Sequence, residues 1–237
     1  GDLGERAFIT SKVWPGLEAW GYPEKGVKET LQAVDDSRRM LGRDCIDLYL
    51  IHMPLAVARR LEVWEGLLEA RSRGWIEHAG VSNYGVAHLK EIEASGLEMP
   101  VANQCEIHPM HPLPQELRAY MARHGIRPIA YSSLAPLGQW RLGSQWNSKD
   151  EAMHGQTHPV LEACAGRLRV TPAQVLLRWA VERGYPVLPK SNTPSRIKDN
   201  AQIFGFELDV ASRSALDALD ADRCLAWSSG VDPLYTD

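Results

Sequence analysis

The feature that most constrains the fold is a regular alternation of strand-like and helix-like stretches. Apolar runs rich in β-forming residues, such as Ile46–His52, are each followed by apolar residues at helical spacing, as in Glu62–Ser72. Such repeated units imply parallel strands joined by right-handed crossovers. Six units are predicted, so the class is α/β. An open doubly wound sheet and a barrel that is two units short both fit that number.

The predicted elements have definite bounds. The strands are Ala7–Trp14, Ile46–His52, Ile76–Ser82, Val101–Glu106, Ile126–Tyr131 and Val187–Lys190. The helices are Gly26–Leu41, Glu62–Ser72, Val86–Ala94, Gln115–His124, Val160–Leu168, Pro172–Arg183, Ser195–Ile203 and Ala211–Leu219. Thr171 is the expected N-cap of the sixth helix, with Pro172 at its first position. The Gly-, Ser- and Trp-rich stretch Leu137–Thr157 is predicted to be a loop.

Length, charge and cysteines exclude several classes of protein. With 237 residues the chain is expected to be one domain, residues 1–237, slightly short of the roughly 250 residues of a complete parallel barrel. The net charge of −4 has no basic block, which argues against a nucleic-acid partner. The four cysteines are far apart and form no CxxC, as in a reduced cytoplasmic protein. No apolar run approaches the roughly 20 residues of a membrane span.

Polar residues recur at the carboxyl end of every predicted strand, where a barrel gathers its catalytic groups. They are Lys12, His52, Ser82, Asn83, Gln104, Glu106, Tyr131, Ser132, Lys190 and Ser191. Each has an ordinary structural explanation as well, such as a solvated rim lysine, a turn, or a packed ring with a hydrogen-bonded tip. The repetition at the same point of each unit is what favours a shared site.

Two further motifs suggest ligands. His108 and His111 have the spacing of a metal pair on a helix, but Pro109 and Pro112 forbid a regular helix, so a loop is predicted. Toward the C-terminus, "LPKSNTPSRIKDN" runs from a strand into a helix start surrounded by cationic and hydroxyl side chains. A helix N-terminus attracts anions, so a phosphate site is one interpretation and an ordinary capped helix the other.

Six motifs in the same order give the chain a family resemblance. "FITSKVW", "IDLYLIHMP", "GVSNY", "NQCEIHP", "IAYSSL" and "PKSNTPSRIKDN" resemble those of the aldo-keto reductases, from about Ala7 to the C-terminus. The resemblance implies an eight-stranded (β/α)8 TIM barrel, here N-terminally incomplete, and reduction of an aldehyde or ketone by hydride from NADPH. It also implies that the complete protein is a monomer. No G-x-G-x-x-G follows any strand, so a Rossmann domain is not predicted.

The resemblance also implies roles for individual residues. Lys12 and His52 match the active-site lysine and histidine, and Trp14 and Met53 fall in the substrate pocket, Met53 where many members have tryptophan. The residues matching the cofactor site are Ser82, Asn83, Gln104, Tyr131, Ser132, Leu134, Lys190, Ser191, Thr193, Arg196, Asp199 and Asn200. Among these, Lys190, Ser191, Thr193 and Arg196 match the group that holds an adenosine 2′-phosphate, which favours NADPH over NADH.

One departure bears on activity. In the family, a catalytic tyrosine and aspartate lie in an Asp-x-x-x-x-Tyr motif within two strand–helix units that precede the lysine, and no such motif precedes Lys12. The expectation is therefore a reductase fragment of weak activity; the alternative is an impaired NADPH-binding or regulatory protein on the same fold. The substrate pocket is expected to involve Leu137–Thr157 and the tail "GVDPLYTD", with Trp140, Trp146, Trp227 and Tyr235 as aromatic candidates.

Overall fold

The computed structural model describes residues 7–137, 157–222, 224–226 and 233–235. Five strands form one sheet in the order β1-β2-β3-β4-β5, and the pairs β1·β2, β2·β3 and β3·β4 are parallel. The strands are β1 (Thr10–Val13), β2 (Ile46–Ile51), β3 (Ile76–Ser82), β4 (Ala102–Glu106) and β5 (Arg127–Tyr131). The five strands and their parallel order are those that the alternating pattern predicted.

Eight helices alternate with or follow the strands in the described residues, and all eight were predicted to within two residues at each end. They are α1 (Val27–Leu41), α2 (Arg60–Ser72), α3 (Val86–Ser95), α4 (Gln115–Arg123), α5 (Pro159–Leu168), α6 (Pro172–Glu182), α7 (Pro194–Ala201) and α8 (Val210–Asp217). The predicted cap of α6 is confirmed, since the Thr171 hydroxyl accepts a hydrogen bond from the Gln174 amide at 3.2 Å.

The sixth predicted strand, Val187–Lys190, is wrong. Only one parallel bridge forms there, between Ala130 and Val187, where the Ala130 amide donates to the Pro186 carbonyl at 2.8 Å. Leu188 is 49% exposed and Pro189 has no amide hydrogen to donate, so neither burial nor a hydrogen-bond ladder extends the pairing. The segment before α7 therefore contacts the sheet only through the pair Ala130 and Val187, within the described residues.

The chain divides into two compact units. Unit 1 comprises residues 1–104, 116–127 and 233–237, and its core is the buried face of β1–β3 with α1 and α2. Gly80 in β3 is required by close packing, because a Cβ there would lie 2.7 Å from the Leu50 side chain and 2.8 Å from the Ala102 carbonyl. Trp64 of α2 is buried, and its indole N–H donates to the Glu98 carbonyl at 2.9 Å.

Unit 2 comprises residues 105–115 and 128–232 and is built mainly from helices. Its core includes Leu161 of α5 and Leu176, Leu177 and Trp179 of α6, all at most 2% exposed. Glu182 at the end of α6 accepts hydrogen bonds from the Arg178 and Arg213 side chains and from the Leu208 amide, which fixes α8 and the connection before it. Within the described ranges, no helix has the length and apolar character needed to cross a membrane.

Candidate active site

In unit 1, the predicted polar residues lie in register at the carboxyl ends of neighbouring strands. Lys12 pairs with Leu50 across β1 and β2, and the amide of His52 donates to the Val13 carbonyl at 2.9 Å. Ser82 pairs directly with Gln104 across β3 and β4. The parallel register therefore brings the predicted lysine, histidine, serine and glutamine to one end of unit 1, as the sequence pattern indicated.

Asn83 links three of these strand ends. It has a left-handed backbone (φ 63°), and its side-chain amide donates to the His52 carbonyl at 3.0 Å and to the Ser82 hydroxyl at 3.1 Å. The Ser82 hydroxyl and the Asn83 amide N–H both donate to the Gln104 carbonyl, at 2.8 and 2.9 Å. Non-glycine residues in this conformation concentrate at functional sites, where the surrounding contacts hold them. The loop after β3 is thus fixed beside the histidine.

The two ionisable groups of this strand edge both have pKa values shifted toward the neutral form. Burial lowers the pKa of Lys12. Burial, and secondarily the charge of Lys12, lowers the pKa of His52 from 6.5 to about 4. His52 is therefore neutral near pH 7, where it can hydrogen-bond a substrate oxygen but is a poor proton donor. Among the described residues, no carboxylate forms an ion pair with Lys12.

An aromatic surface adjoins His52. The ring of Trp14, directly after β1, packs edge-on against the His52 ring with centroids 5.8 Å apart. Met53, the residue after His52, is buried. Trp14 also contacts Trp20 and Tyr22, which lie in the loop that follows. Sequence reasoning named Trp14 and Met53 but missed Trp20 and Tyr22. The pair of aromatic residues in "EAWGY", six and eight residues after Trp14, could have indicated a further aromatic surface near the site.

In unit 2, the turn after β5 carries Tyr131, Ser132 and Leu134. Ser132 is the second strand-end residue with a left-handed backbone (φ 53°), and its carbonyl accepts the Ala135 amide at 2.8 Å. The buried hydroxyl of Ser133 has no hydrogen-bond partner among the residues that the structure describes. The conformation of this turn, like that of Asn83, indicates a functional constraint on the backbone.

A cavity of about 500 Å³ lies in unit 2 and contains six of the predicted cofactor residues, Leu134, Lys190, Ser191, Arg196, Asp199 and Asn200. Thr157, Glu162 and Thr171 also line it and were not predicted. The side chain of Thr193, at the N-cap of α7, makes no capping bond, and Arg196 in the first turn of that helix lines the cavity. The start of α7 is therefore a candidate anion site. The lining carries two cations, Lys190 and Arg196, and hydroxyls that suit a phosphate group, together with two carboxylates, Glu162 and Asp199.

The "HPMHP" segment is an anchor for the C-terminal chain. His108 and His111 pair through their backbones, and the His108 ring contacts the buried Glu106 carboxylate at 2.9 Å. That carboxylate also accepts the amides of Leu225 and Ala226. Sequence reasoning placed Glu106 at a strand end but missed this role, because its partners are about 120 positions away. No cluster of metal ligands occurs in the part of the chain that the structure describes.

Some expectations lie outside the described residues. These are the loop over residues 138–156, the aromatic candidates Trp140, Trp146 and Trp227, and most of the tail; Tyr235 is described and exposed. The chain does contain Asp44 and Tyr49 at the spacing of an Asp-x-x-x-x-Tyr motif. Tyr49 is buried, however, and its hydroxyl contacts Ser37 at 2.7 Å and donates to the Ala33 carbonyl of α1. It is therefore part of the helix–sheet packing.

Comparisons with known proteins agree with this geometry. A sequence model described as "Aldo/keto reductase family" matches residues 2–221. An aldo-keto reductase of Mycolicibacterium vanbaalenii is 39% identical over 215 residues, which are 90% of this chain and 68% of that protein. The Escherichia coli methylglyoxal reductase DkgA is 33% identical over 97% of this chain and 74% of its own length.

A solved structure gives the same result for the fold. The Bombyx mori aldo-keto reductase, solved in complex with NADP, superposes with a TM-score of 0.76 at 28% identity, over 93% of this chain and 70% of that one. The predicted fold class, an α/β chain of the aldo-keto reductase barrel type, is confirmed.

Proposed function

Because the chain belongs to the aldo/keto reductase family, we propose that it is an NADPH-dependent oxidoreductase that reduces an aldehyde or ketone to an alcohol. The observation that carries the proposal is the register of the strand ends in unit 1. It brings Lys12, His52, Asn83 and Gln104, which match the family's active-site and nicotinamide residues, to one edge of the sheet.

His52 acts on the carbonyl oxygen. Its pKa of about 4 keeps the ring neutral at pH 7, so an N–H can donate to the oxygen, and this bond strengthens as negative charge develops there. Lys12 is half-buried with a lowered pKa and acts electrostatically on the group that supplies the proton. The reduced nicotinamide, when bound, supplies the hydride. Trp14 and Met53 line the space for the carbonyl group.

The remaining predicted residues hold the cofactor. Asn83 and Gln104 bind the nicotinamide carboxamide, with Ser82 positioning Asn83, while the ring of Tyr131 stacks on the nicotinamide. Ser132 and Leu134 line the pyrophosphate. Within unit 2, Lys190, Ser191, Thr193 and Arg196 bind the adenosine 2′-phosphate, and Asp199 and Asn200 contact the adenine. The cavity of unit 2 supports this assignment by bringing Lys190, Ser191 and Arg196 together, because a 2′-phosphate is the group that distinguishes NADPH from NADH.

The 237-residue chain by itself is proposed to turn over slowly. His52 is neutral near pH 7, so among the described residues of this strand edge no group is suited to protonate the alkoxide rapidly. The alternative function is an impaired NADPH-binding or regulatory protein on the same fold. Both functions require NADPH binding, and only the first requires measurable turnover.

The test measures cofactor binding and turnover separately. Calorimetric titration of the purified chain is expected to show NADPH binding more tightly than NADH. Arg196→Met is expected to reduce the preference by roughly tenfold, since it removes one charge-assisted contact. Lys198→Met, on the same helix but outside the cavity, is the matched control and leaves the preference unchanged. Equal binding of both cofactors would contradict the phosphate assignment.

Turnover decides between the two functions. Slow, aldehyde-dependent oxidation of NADPH that is lost in His52→Ala supports the reductase, and NADPH binding without any such oxidation supports the regulatory alternative. Turnover comparable to that of a typical reductase would contradict the proposed weakness of the isolated chain.

We also propose that the protein is cytoplasmic and monomeric, as the cysteine spacing and the family resemblance predict. Light scattering of the purified chain tests the second point, and a defined dimer would contradict it.

A further inference from the structure

Three aromatic side chains after β1 form a ledge beside His52. We use the term aromatic ledge for Trp14, Trp20 and Tyr22. Trp14 and Trp20 are nearly parallel, with ring centroids 6.2 Å apart and an interplanar angle of 18°. The Tyr22 ring packs edge-on against Trp14 with centroids 6.4 Å apart. The His52 ring also packs edge-on against Trp14, with centroids 5.8 Å apart. The ledge is therefore continuous with the candidate catalytic histidine.

Two of the three ledge residues are exposed although they are among the largest apolar side chains, and Trp14 is half-buried. Trp20 is 57% and Tyr22 56% exposed. Single exposed apolar residues are ordinary, whereas a contiguous exposed aromatic patch next to a site marks a binding surface. No other contact in the described part of the chain joins two tryptophan rings, so the arrangement is particular to this loop.

The loop backbone holds the ledge in place. Leu17 and Tyr22 exchange two backbone hydrogen bonds, at 2.9 and 3.2 Å, and the Gly21 amide donates to the Glu18 carbonyl at 2.8 Å. The Lys25 amide donates to the Pro15 carbonyl at 2.8 Å and closes the loop at its base. A ring that stacks here loses little affinity to ordering of the protein, because the loop is already ordered by its own hydrogen bonds.

We propose that the aromatic ledge is an outer substrate subsite that stacks a flat aromatic ring joined by a short chain to the carbonyl group held at His52. This inference rests on the proposed reductase function and assigns its substrate class, arylalkyl aldehydes. Stacking favours an aromatic ring over a saturated ring of the same size, because the ring quadrupoles interact only in the first case. Small aldehydes with no ring gain nothing from Trp20 or Tyr22.

Binding, measured without turnover, tests the subsite directly. The full chain with NADP⁺ is titrated with 3-phenylpropan-1-ol, an alcohol of the product class, and with its saturated analogue 3-cyclohexylpropan-1-ol, and ligand-observed NMR gives Kd for each. The phenyl compound is expected to bind about 2- to 12-fold more tightly, the range that an aromatic pair supplies. Trp20→Ala abolishes this preference and Trp20→Phe retains it.

Phe8→Ala is the matched control, since Phe8 is 63% exposed and precedes β1, whereas the ledge follows it. This variant is expected to keep the preference. Equal Kd values for the two alcohols in the unmodified chain, or a preference that survives in Trp20→Ala, would overturn the subsite. Light scattering that shows a dimer dissociated by Trp20→Ala would also overturn it, by assigning the ledge to a second copy. Absence of NADPH oxidation would overturn the proposed function instead, and leaves these Kd values measurable.

Discussion

His52 and Lys12 show how position alone changes the chemistry of a side chain. A free histidine titrates near 6.5, but burial and the neighbouring lysine lower the pKa of His52 to about 4. The residue is consequently a neutral hydrogen-bond donor across the physiological range. The same shift leaves little protonated His52 at pH 7, which makes the residue a poor substitute for a dedicated proton donor.

Lys12→Met is expected to raise the pKa of His52 above 4 while leaving it below 6.5. The lysine charge is the smaller cause of the shift and burial, which persists, is the larger. A pH titration of the His52 ring protons by NMR measures the change, with the exposed Lys28→Met as control. An unchanged pKa in Lys12→Met would show that the charge of Lys12 does not act on His52.

Asn83→Ala is expected to lower the free energy of unfolding by roughly 2–3 kcal/mol. The change removes two side-chain hydrogen bonds at a buried site and leaves a residue less tolerant of the left-handed backbone in place of asparagine. Urea denaturation measures the difference. Asn192→Ala, in an exposed loop, is the control; a loss below 0.5 kcal/mol in Asn83→Ala would refute the linking role.

Two helices of unit 2 begin with the same Thr-Pro pair but are capped differently. The Thr171 hydroxyl accepts the Gln174 amide, and the Gln174 side chain in turn accepts the Thr171 amide at 2.9 Å, so α6 has a complete capping box. The Thr193 side chain makes no such bond at the start of α7. Both helices border the cavity, α6 through Thr171, Pro172 and Ala173 and α7 through Arg196, Asp199 and Asn200. Only α7 starts without a side-chain cap, which fits the proposal that a ligand phosphate completes it.

The paired substitutions Thr171→Ala and Thr193→Ala separate these two roles. Thr171→Ala is expected to cost about 1 kcal/mol of unfolding free energy, and Thr193→Ala only a few tenths. Addition of NADPH is expected to stabilise the unmodified chain more than it stabilises the Thr193→Ala variant. Thermal unfolding with and without NADPH measures both effects; equal costs without the cofactor would contradict the difference in capping.

Glu106 connects segments that are remote in the chain. Its carboxylate is 3% exposed and accepts hydrogen bonds from the Leu225 and Ala226 amides and the Cys224 thiol, in addition to the contact with His108. Burial opposes ionisation and is the largest single influence, but the His108, Cys224 and Leu225 hydrogen bonds together lower the pKa below 4.5. The ionised form is thus the one that holds residues 224–226.

Glu106→Gln is expected to lower the free energy of unfolding by roughly 2–4 kcal/mol at pH 7, because several donors lose a charged partner. The stabilisation from Glu106 is complete above pH 4.5 and is lost as the pH falls through the lowered pKa. The difference between the two proteins should therefore shrink at strongly acidic pH. Urea denaturation at several pH values measures it.

Glu98→Gln is the control for this experiment. Glu98 forms an exposed ion pair with Arg71, and such pairs contribute at most about 1 kcal/mol. A Glu106→Gln cost as small as that of Glu98→Gln would contradict the anchoring role.

The sequence by itself determined the elements, their order and the strand-end positions of the site. Period-two and period-3.6 patterns, caps and glycine stops are local, so eight helices and five strands could be predicted, and the six motifs identified the family. The strand predicted at Val187–Lys190 was wrong because a β-strand requires hydrogen-bonded neighbours as well as a suitable composition. These four residues form a single bridge, since Pro189 has no amide hydrogen and Leu188 is exposed.

Tertiary structure alone decided how the site residues are tuned and which others join them. The pKa of His52 depends on burial, the left-handed backbones of Asn83 and Ser132 on contacts around the turns, and the bond of Glu106 to residues 225 and 226 on chain closure. The ledge of Trp14, Trp20 and Tyr22 depends on how a loop folds back on itself. Apart from the ledge, these properties arise from contacts between residues far apart in sequence, and local patterns carry no information about such contacts.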